Sequence, residues 1–152
     1  MVIEVPRGID FAELDIETAN GQIEIEGMIA TILSVMTANG EITLSDLETG
    51  SIKAVTVNGE ITFNDVFADR TYIESVNGEI DLNDVNTADN DGTEITVELV
   101  NGSITINDAY FKRIEVATVN GSIDYLLSDH SYVADSLSLE TVNGSTNHNI
   151  NH

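Results

Sequence analysis

Twenty-seven carboxylates stand in this 152-residue chain, and four recur at one place in a repeat: Asp46, Asp65, Asp84 and Asp108. Each follows Ser or Asn (Ser45, Asn64, Asn83, Asn107) and precedes one apolar residue (Leu47, Val66, Val85, Ala109). If successive repeats stack, these carboxylates form a file about 5 Å apart, where like charges repel. An Asp next to Asn or Ser is turn chemistry, because both side chains bond nearby backbone. Calcium is the alternative, since it takes carboxylate and carbonyl oxygens. The segment Asn86-Thr87-Ala88-Asp89-Asn90-Asp91-Gly92-Thr93-Glu94 adds to the calcium case. Its D-N-D-G-x-E core offers Asp89, Asp91 and Glu94 as ligands, with glycine for a sharp bend. The spacing is not that of a helix-loop-helix calcium site, and the segment falls between strands. An acidic surface loop is the simpler expectation.

Catalytic groupings are absent from the pattern. No G-x-S-x-G elbow, phosphate loop or zinc signature occurs, and there is no cysteine. His130 lies in an insertion and His148 and His152 in the tail, without a helical pattern to bring them together. No carboxylate pair stands in an apolar setting that would split its pKa values. A β-helical carbohydrate-active enzyme would want basic residues and aromatic platforms beside its acids. Trp is missing, and the five basic residues (Arg7, Lys53, Arg70, Lys112, Arg113) are scattered. The chain is read as non-enzymatic, with no required cofactor.

A formal net charge of −22 repels phosphate backbones and anionic lipid, which argues against nucleic-acid binding and membrane docking. No stretch approaches the roughly 18 apolar residues of a spanning helix, so membrane insertion is not expected. The first residues lack a basic segment followed by an apolar one, so either the protein is cytoplasmic or the numbering begins after a removed leader.

The elements that must position these groups are set by Asn-Gly, which occurs at Asn20, Asn39, Asn58, Asn77, Asn101, Asn120 and Asn143, in steps of 19, 19, 19, 24, 19 and 23. Two steps are therefore the same unit carrying insertions. After each glycine, Ile23, Ile42, Ile61, Ile80, Ile104 and Ile123 hold one column, and Ile25, Leu44, Phe63, Leu82, Ile106 and Tyr125 hold the next inward one. Apolar/polar alternation over a short run predicts a half-buried strand. The polar pair then turns the chain, and a second strand follows, with Ile52 and Ala54, Ile73, Ile95 and Val97, or Ile114 and Val116 inward. Ala38, Val57, Val76, Val100 and Val119 are expected to resume the inner face before the Asn-Gly corner. The asparagines are expected to form a structural ladder by stacking their amides.

A column that keeps its identity every 19 residues suits a stacked core better than a meander. The predicted fold is all-β, a single-domain β-solenoid of about seven rungs: residues 1–17 a capping rung, 18–145 the repeats, 146–152 a frayed tail. Thr18, Thr37, Thr56, Thr118 and Thr141, and separately Thr43, Thr62 and Thr105, are expected to face outward. Such files could order water as an ice-binding face does, but Ser75, Leu99, Asp81 and Asp124 interrupt them. Open coil ends or edges would allow a homo-oligomer.

The repeated T-V-N-G-S-I and T-V-N-G-E-I units, from about Thr18 to Gly144, resemble a bacterial adhesin domain family long filed as a domain of unknown function. The resemblance implies a β-solenoid-like exported or cell-surface domain with no assigned catalytic residues. Its partner would be an unidentified surface or matrix ligand, met outside the cytoplasm.

Overall fold

Among the described residues every strand-to-strand pairing is parallel, so each repeat is one turn of backbone and not a hairpin. The computed structural model describes residues 9–87, 89–129 and 131–150, and contains no helix among them. β1 (Asp10–Asn20), β2 (Ile23–Asn39), β3 (Ile42–Asn58) and β4 (Ile61–Asn77) stack in order. Above them the coil divides into β5 (Ile80–Val85) with β6 (Gly92–Asn101), then β7 (Ile104–Ala109) with β8 (Phe111–Asn120). β9 (Ile123–Leu127), β10 (Ser136–Asn143) and β11 (Thr146–Ile150) close the stack. The result is a β-solenoid of about seven turns.

Ile23, Ile42, Ile61, Ile80, Ile104 and Ile123 sit in direct register, one above the next, each at most 1% exposed. A parallel coil makes this column self-consistent, because each isoleucine finds the same shape above and below. Full burial of such a side chain stabilises by roughly 1.5–3 kcal/mol.

Within a coil the inward residues of β3 are Ile42, Leu44, Leu47, Thr49, Ile52, Ala54 and Thr56. The alternation slips phase twice, between Leu44 and Leu47 and between Thr49 and Ile52, so each coil has three runs joined by corners. Gly50 stands at the second slip, and Asp46, with φ 53°, stands at the first.

The threonine and valine columns before the Asn-Gly corner are the reverse of the expectation. Thr37, Thr56 and Thr118 are buried, while Val57, Val100 and Val119 are exposed and Ala38 and Val76 are half-exposed. Period-2 alternation simply continues from Ile52 and Ala54 to Thr56. At three inward threonines the hydroxyl donates to the glycine carbonyl one coil below: Thr37 to Gly21 (3.3 Å), Thr56 to Gly40 (3.2 Å) and Thr141 to Gly121 (3.1 Å), whereas Thr118 Oγ1 makes no such bond among the described residues. A flat outer face made of that threonine file does not exist, which removes half of the ice-binding pattern. Thr43, Thr62 and Thr105 do face outward, half-exposed.

The tail also differs from expectation. Thr146–Ile150 does not fray but pairs with β9, with Thr146 beside Ile123 and Ile150 beside Leu127. The open edge of β9 needs partners for its amides, and a polar segment supplies them as well as an apolar one. At the other end, β1 pairs along β2 from Asp10 to Asn20, as a first rung should. Ile3 and Val5, also assigned to that rung, lie outside the described residues, as do His130 and His152.

Candidate functional site

Asp46, Asp65, Asp84 and Asp108 are brought together in one file at the first corner of successive coils, with φ of 53°, 53°, 53° and 55°. This left-handed backbone region is costly for most L-residues but accessible to Asp, Asn and Gly. Gly27 holds the same place in the coil below, with φ 67°. The turn role therefore comes from backbone tolerance. Only Asp108 uses its carboxylate there, accepting from the Tyr110 hydroxyl (3.1 Å) and the Ser128 amide (2.5 Å). Asp46, Asp65 and Asp84 are exposed, and their carboxylates make no hydrogen bond among the described residues.

Both insertions emerge after the first run, between Val85 and Gly92 and between Leu127 and Ser136. They meet on one side of the rod. Tyr110 and Tyr132 pack edge to face, centroids 5.1 Å apart at 86°. The Tyr132 hydroxyl donates to Asp91 (3.3 Å). Burial raises the pKa of both phenols. Beneath them Tyr125 fills the core column, its hydroxyl donating to the Ala109 carbonyl at 3.0 Å.

The loop residues offered as calcium ligands do not converge. Asp91 pairs with Lys112 (3.8 Å) and Glu94 with Arg113 (3.9 Å), each on the coil above. Asp89 is exposed and faces a recess it shares with Asp65, Asp84, Asp108 and Asp129. Among the described residues no three His, Asp or Glu side chains come close enough to hold a metal ion.

Asn86, the first residue of the acidic segment and no part of its ligand set, sits at the root of this loop. It is 5% exposed with φ 60°. Its Oδ1 accepts from the Ala68 amide (2.9 Å), and its Nδ2 donates to the carbonyls of Ala68 (3.0 Å) and Tyr110 (3.3 Å). Where the insertion interrupts the ladder, the side-chain amide stands in for a missing peptide group and joins the coil below to the coil above.

The Asn-Gly column forms the expected ladder. Asn39 donates Nδ2 to Oδ1 of Asn20 at 3.0 Å, and Asn58, Asn77, Asn101, Asn120 and Asn143 each do the same to the asparagine below, at 2.8–2.9 Å. The following glycines stack so closely that a Cβ on Gly59 would lie 1.8 Å from the Gly40 carbonyl oxygen, at φ 158°. No other residue fits there. A second, shorter ladder was not anticipated: Asn83 donates to Asn64 (3.3 Å) and Asn107 to Asn83 (2.9 Å). The pattern N-D recurring at the repeat period was its signal.

On the outer face of the third run, Tyr72 donates its hydroxyl toward Glu74 (3.0 Å) and Glu98 (3.1 Å), which stand in register. Burial, and then these two acceptors, raise the phenol's pKa well above its ordinary value. Beside them runs the exposed valine column.

These features, a parallel coil with stacked Asn-Gly corners and no helix among the described residues, are those of a repeat β-solenoid domain. The chain belongs to the Toastrack DUF4097 family, whose model matches residues 1–152. That is a domain-of-unknown-function family and not a known enzyme family. No curated protein and no solved structure matches the chain.

Proposed function

We propose that this chain is a non-enzymatic, adhesin-like display module that works outside the cytoplasm, presenting repeated polar columns on a rigid acidic rod to a surface or matrix partner. The observation that carries the reading is the fixing of equivalent outward side chains at coil spacing by continuous backbone pairing and an Asn ladder seven residues long. A surface so ordered before any partner arrives loses little conformational entropy on contact. Two measurements test it. Protease treatment of intact source cells should release the chain. Beads carrying the chain should be retained on purified cell-wall glycan or collagen at physiological salt, and T43K/T62K/T105K should reduce retention without lowering Tm. A protease-protected chain that is retained on neither surface overturns the proposal.

A second reading is a calcium-stabilised surface module in which the ion draws together the carboxylates of Asp65, Asp84, Asp89, Asp108 and Asp129, which line one recess but stand too far apart to share an ion without moving. Thermal melts in EDTA and in millimolar calcium should then differ by several degrees. Coincident melts remove it.

A further inference from the structure

We infer that the two ends of the rod are complementary docking surfaces, and that the partner of each is a second copy of this chain stacked head to tail. The ladders have direction. Every asparagine donates to the one below, so Asn20 accepts from Asn39 but its own Nδ2 has no partner among the described residues. At the other end Asn143 donates to Asn120, and its Oδ1 accepts nothing from a described residue. The threonine bonds run the same way. Thr141 reaches the Gly121 carbonyl, but Thr18, with no glycine beneath, turns to Asn20 of its own coil at 3.4 Å. The backbone repeats the pattern in reverse: Gly121 N donates to the Asn143 carbonyl above it (3.1 Å), while no described residue accepts from Gly144 N. One end thus lacks what the other offers, at three positions in a single corner.

The apolar files match in the same register. In the coil below β10, Ile114 and Val116 are sealed, but above them Leu137 is 38% exposed and Leu139 half-buried. At the opposite end Leu14 is half-buried in the same column. Seating Asn20 of one copy over Asn143 of another places Leu14 over Leu137, Ile16 over Leu139 and Thr18 over Thr141. The outward side chains brought together are Glu13 with Ser136, Asp15 with Ser138 and Glu17 with Glu140. One like-charged pair in register is a load the rod already carries, without a bridging donor among the described residues, along Asp46, Asp65 and Asp84. The outward carboxylates of β1 (Asp10, Glu13, Asp15, Glu17) act as edge guards that salt screens. Because the contact is heterologous and does not close on itself, it produces open filaments. The inference is independent of what the rod displays.

The absence of cysteine allows a clean test. Positions 18 and 141 lie at opposite ends of one molecule but about 5 Å apart across the proposed junction, within the reach of a disulfide. Oxidised at high salt, T18C/T141C should give a ladder of dimers, trimers and longer covalent chains that collapses on reduction, and adding L139K should abolish it. Single T18C or T141C should give no more dimer than V133C, whose valine is 84% exposed on the second insertion. The unsubstituted chain should also grow in mass with concentration at high salt by sedimentation. A double variant that stops at the dimer level of the single variants, a ladder unaffected by L139K, or a monomer at all concentrations overturns the proposal.

Discussion

Replacing Asn86 with leucine should damage the rod more than the loss of any one exposed ladder asparagine. The Asn86 amide holds the Ala68 N–H at 2.9 Å and the Ala68 carbonyl at 3.0 Å. The Tyr110 carbonyl keeps a second donor, Gly92 N at 3.0 Å, so it is not orphaned. Leucine therefore strips two buried backbone groups of these partners, at about 1–3 kcal/mol each. Holding leucine at a φ of 60° adds about 1–2 kcal/mol. The sum is about 3–8 kcal/mol, and Tm should fall by at least about 6 °C in a chain of this length. N86G keeps the loss of hydrogen bonds but removes the backbone strain, so it should fall between leucine and the parent. N86D keeps an acceptor for Ala68 N–H but sets a carboxylate against two carbonyls, and should approach leucine. Because coils are coupled only to their neighbours, the unfolding transition should broaden or split as the break separates β4 from β7. Denaturant titration gives the magnitude, and amide exchange at Ala68 gives the location. If N86L unfolds within about 0.5 kcal/mol of the parent with Ala68 still protected, the peptide-surrogate account is wrong.

Two threonines of one column should respond with opposite sign. Thr56 donates to Gly40, so T56V should cost about 1 kcal/mol, whereas Thr118 Oγ1 is buried with no partner among the described residues and T118V should stabilise by about the same amount in the same denaturant assay. The Asp81 carboxyl has its pKa raised, first by burial and then by Glu60, against the lowering effect of Thr105. With the folded value above the ordinary 3.8, its favourable contribution is complete below that pH and is lost as pH rises through the folded value, so D81N should raise Tm at pH 7 and not below pH 3.8. Succinimide formation needs the nitrogen after asparagine to attack the side-chain carbonyl, and Gly21, Gly40, Gly59, Gly78, Gly102 and Gly121 have that nitrogen bonded to the coil above. Peptide mapping after incubation at mildly alkaline pH should find deamidation concentrated at Asn143. D46N/D65N/D84N should leave Tm within about 2 °C of the parent, since these carboxylates support no hydrogen bond among the described residues. A larger fall in thermal melts would show that the charge matters to the corner itself.

What was legible in the sequence is what depends on period alone. The isoleucine file, the Asn ladder and the inward Ile52, Ala54 and Ile73 need only a constant step and alternation. The inverted threonine and valine columns were legible too, but counting by twos from Ile52 had to be preferred over the apolar character of Val57. Valine there is an outward strand residue, and Thr56 is inside because a glycine carbonyl from the next coil lies within reach. That partner is 16 residues away and invisible to local pattern. Asn86 was out of reach for a related reason. Its role exists only because an insertion opens a gap between Ala68 and Tyr110, two residues from other coils. The same holds for Asp91 and Glu94: their local D-N-D-G-x-E spacing suggests shared ligation, but each faces a cation on the neighbouring coil.

The corner file separates what the fold requires from what it does not. Gly27 makes the corner with no side chain at all, so the left-handed backbone is satisfied without a carboxylate. Asn would be tolerated as readily as Asp and would extend the amide ladders already present at Asn64, Asn83 and Asn107. Stability alone therefore does not select acid at Asp46, Asp65 and Asp84, where stacking adds like-charge repulsion on the order of 1 kcal/mol or less per exposed pair. The charge must act outward. In the end-to-end stacking inferred above it would keep the flanks of neighbouring rods apart and leave the exposed Leu137 and Val142 near the last Asn-Gly corner to make the contact. On that inference a rod charged along its flank and complementary at its ends would grow in one dimension.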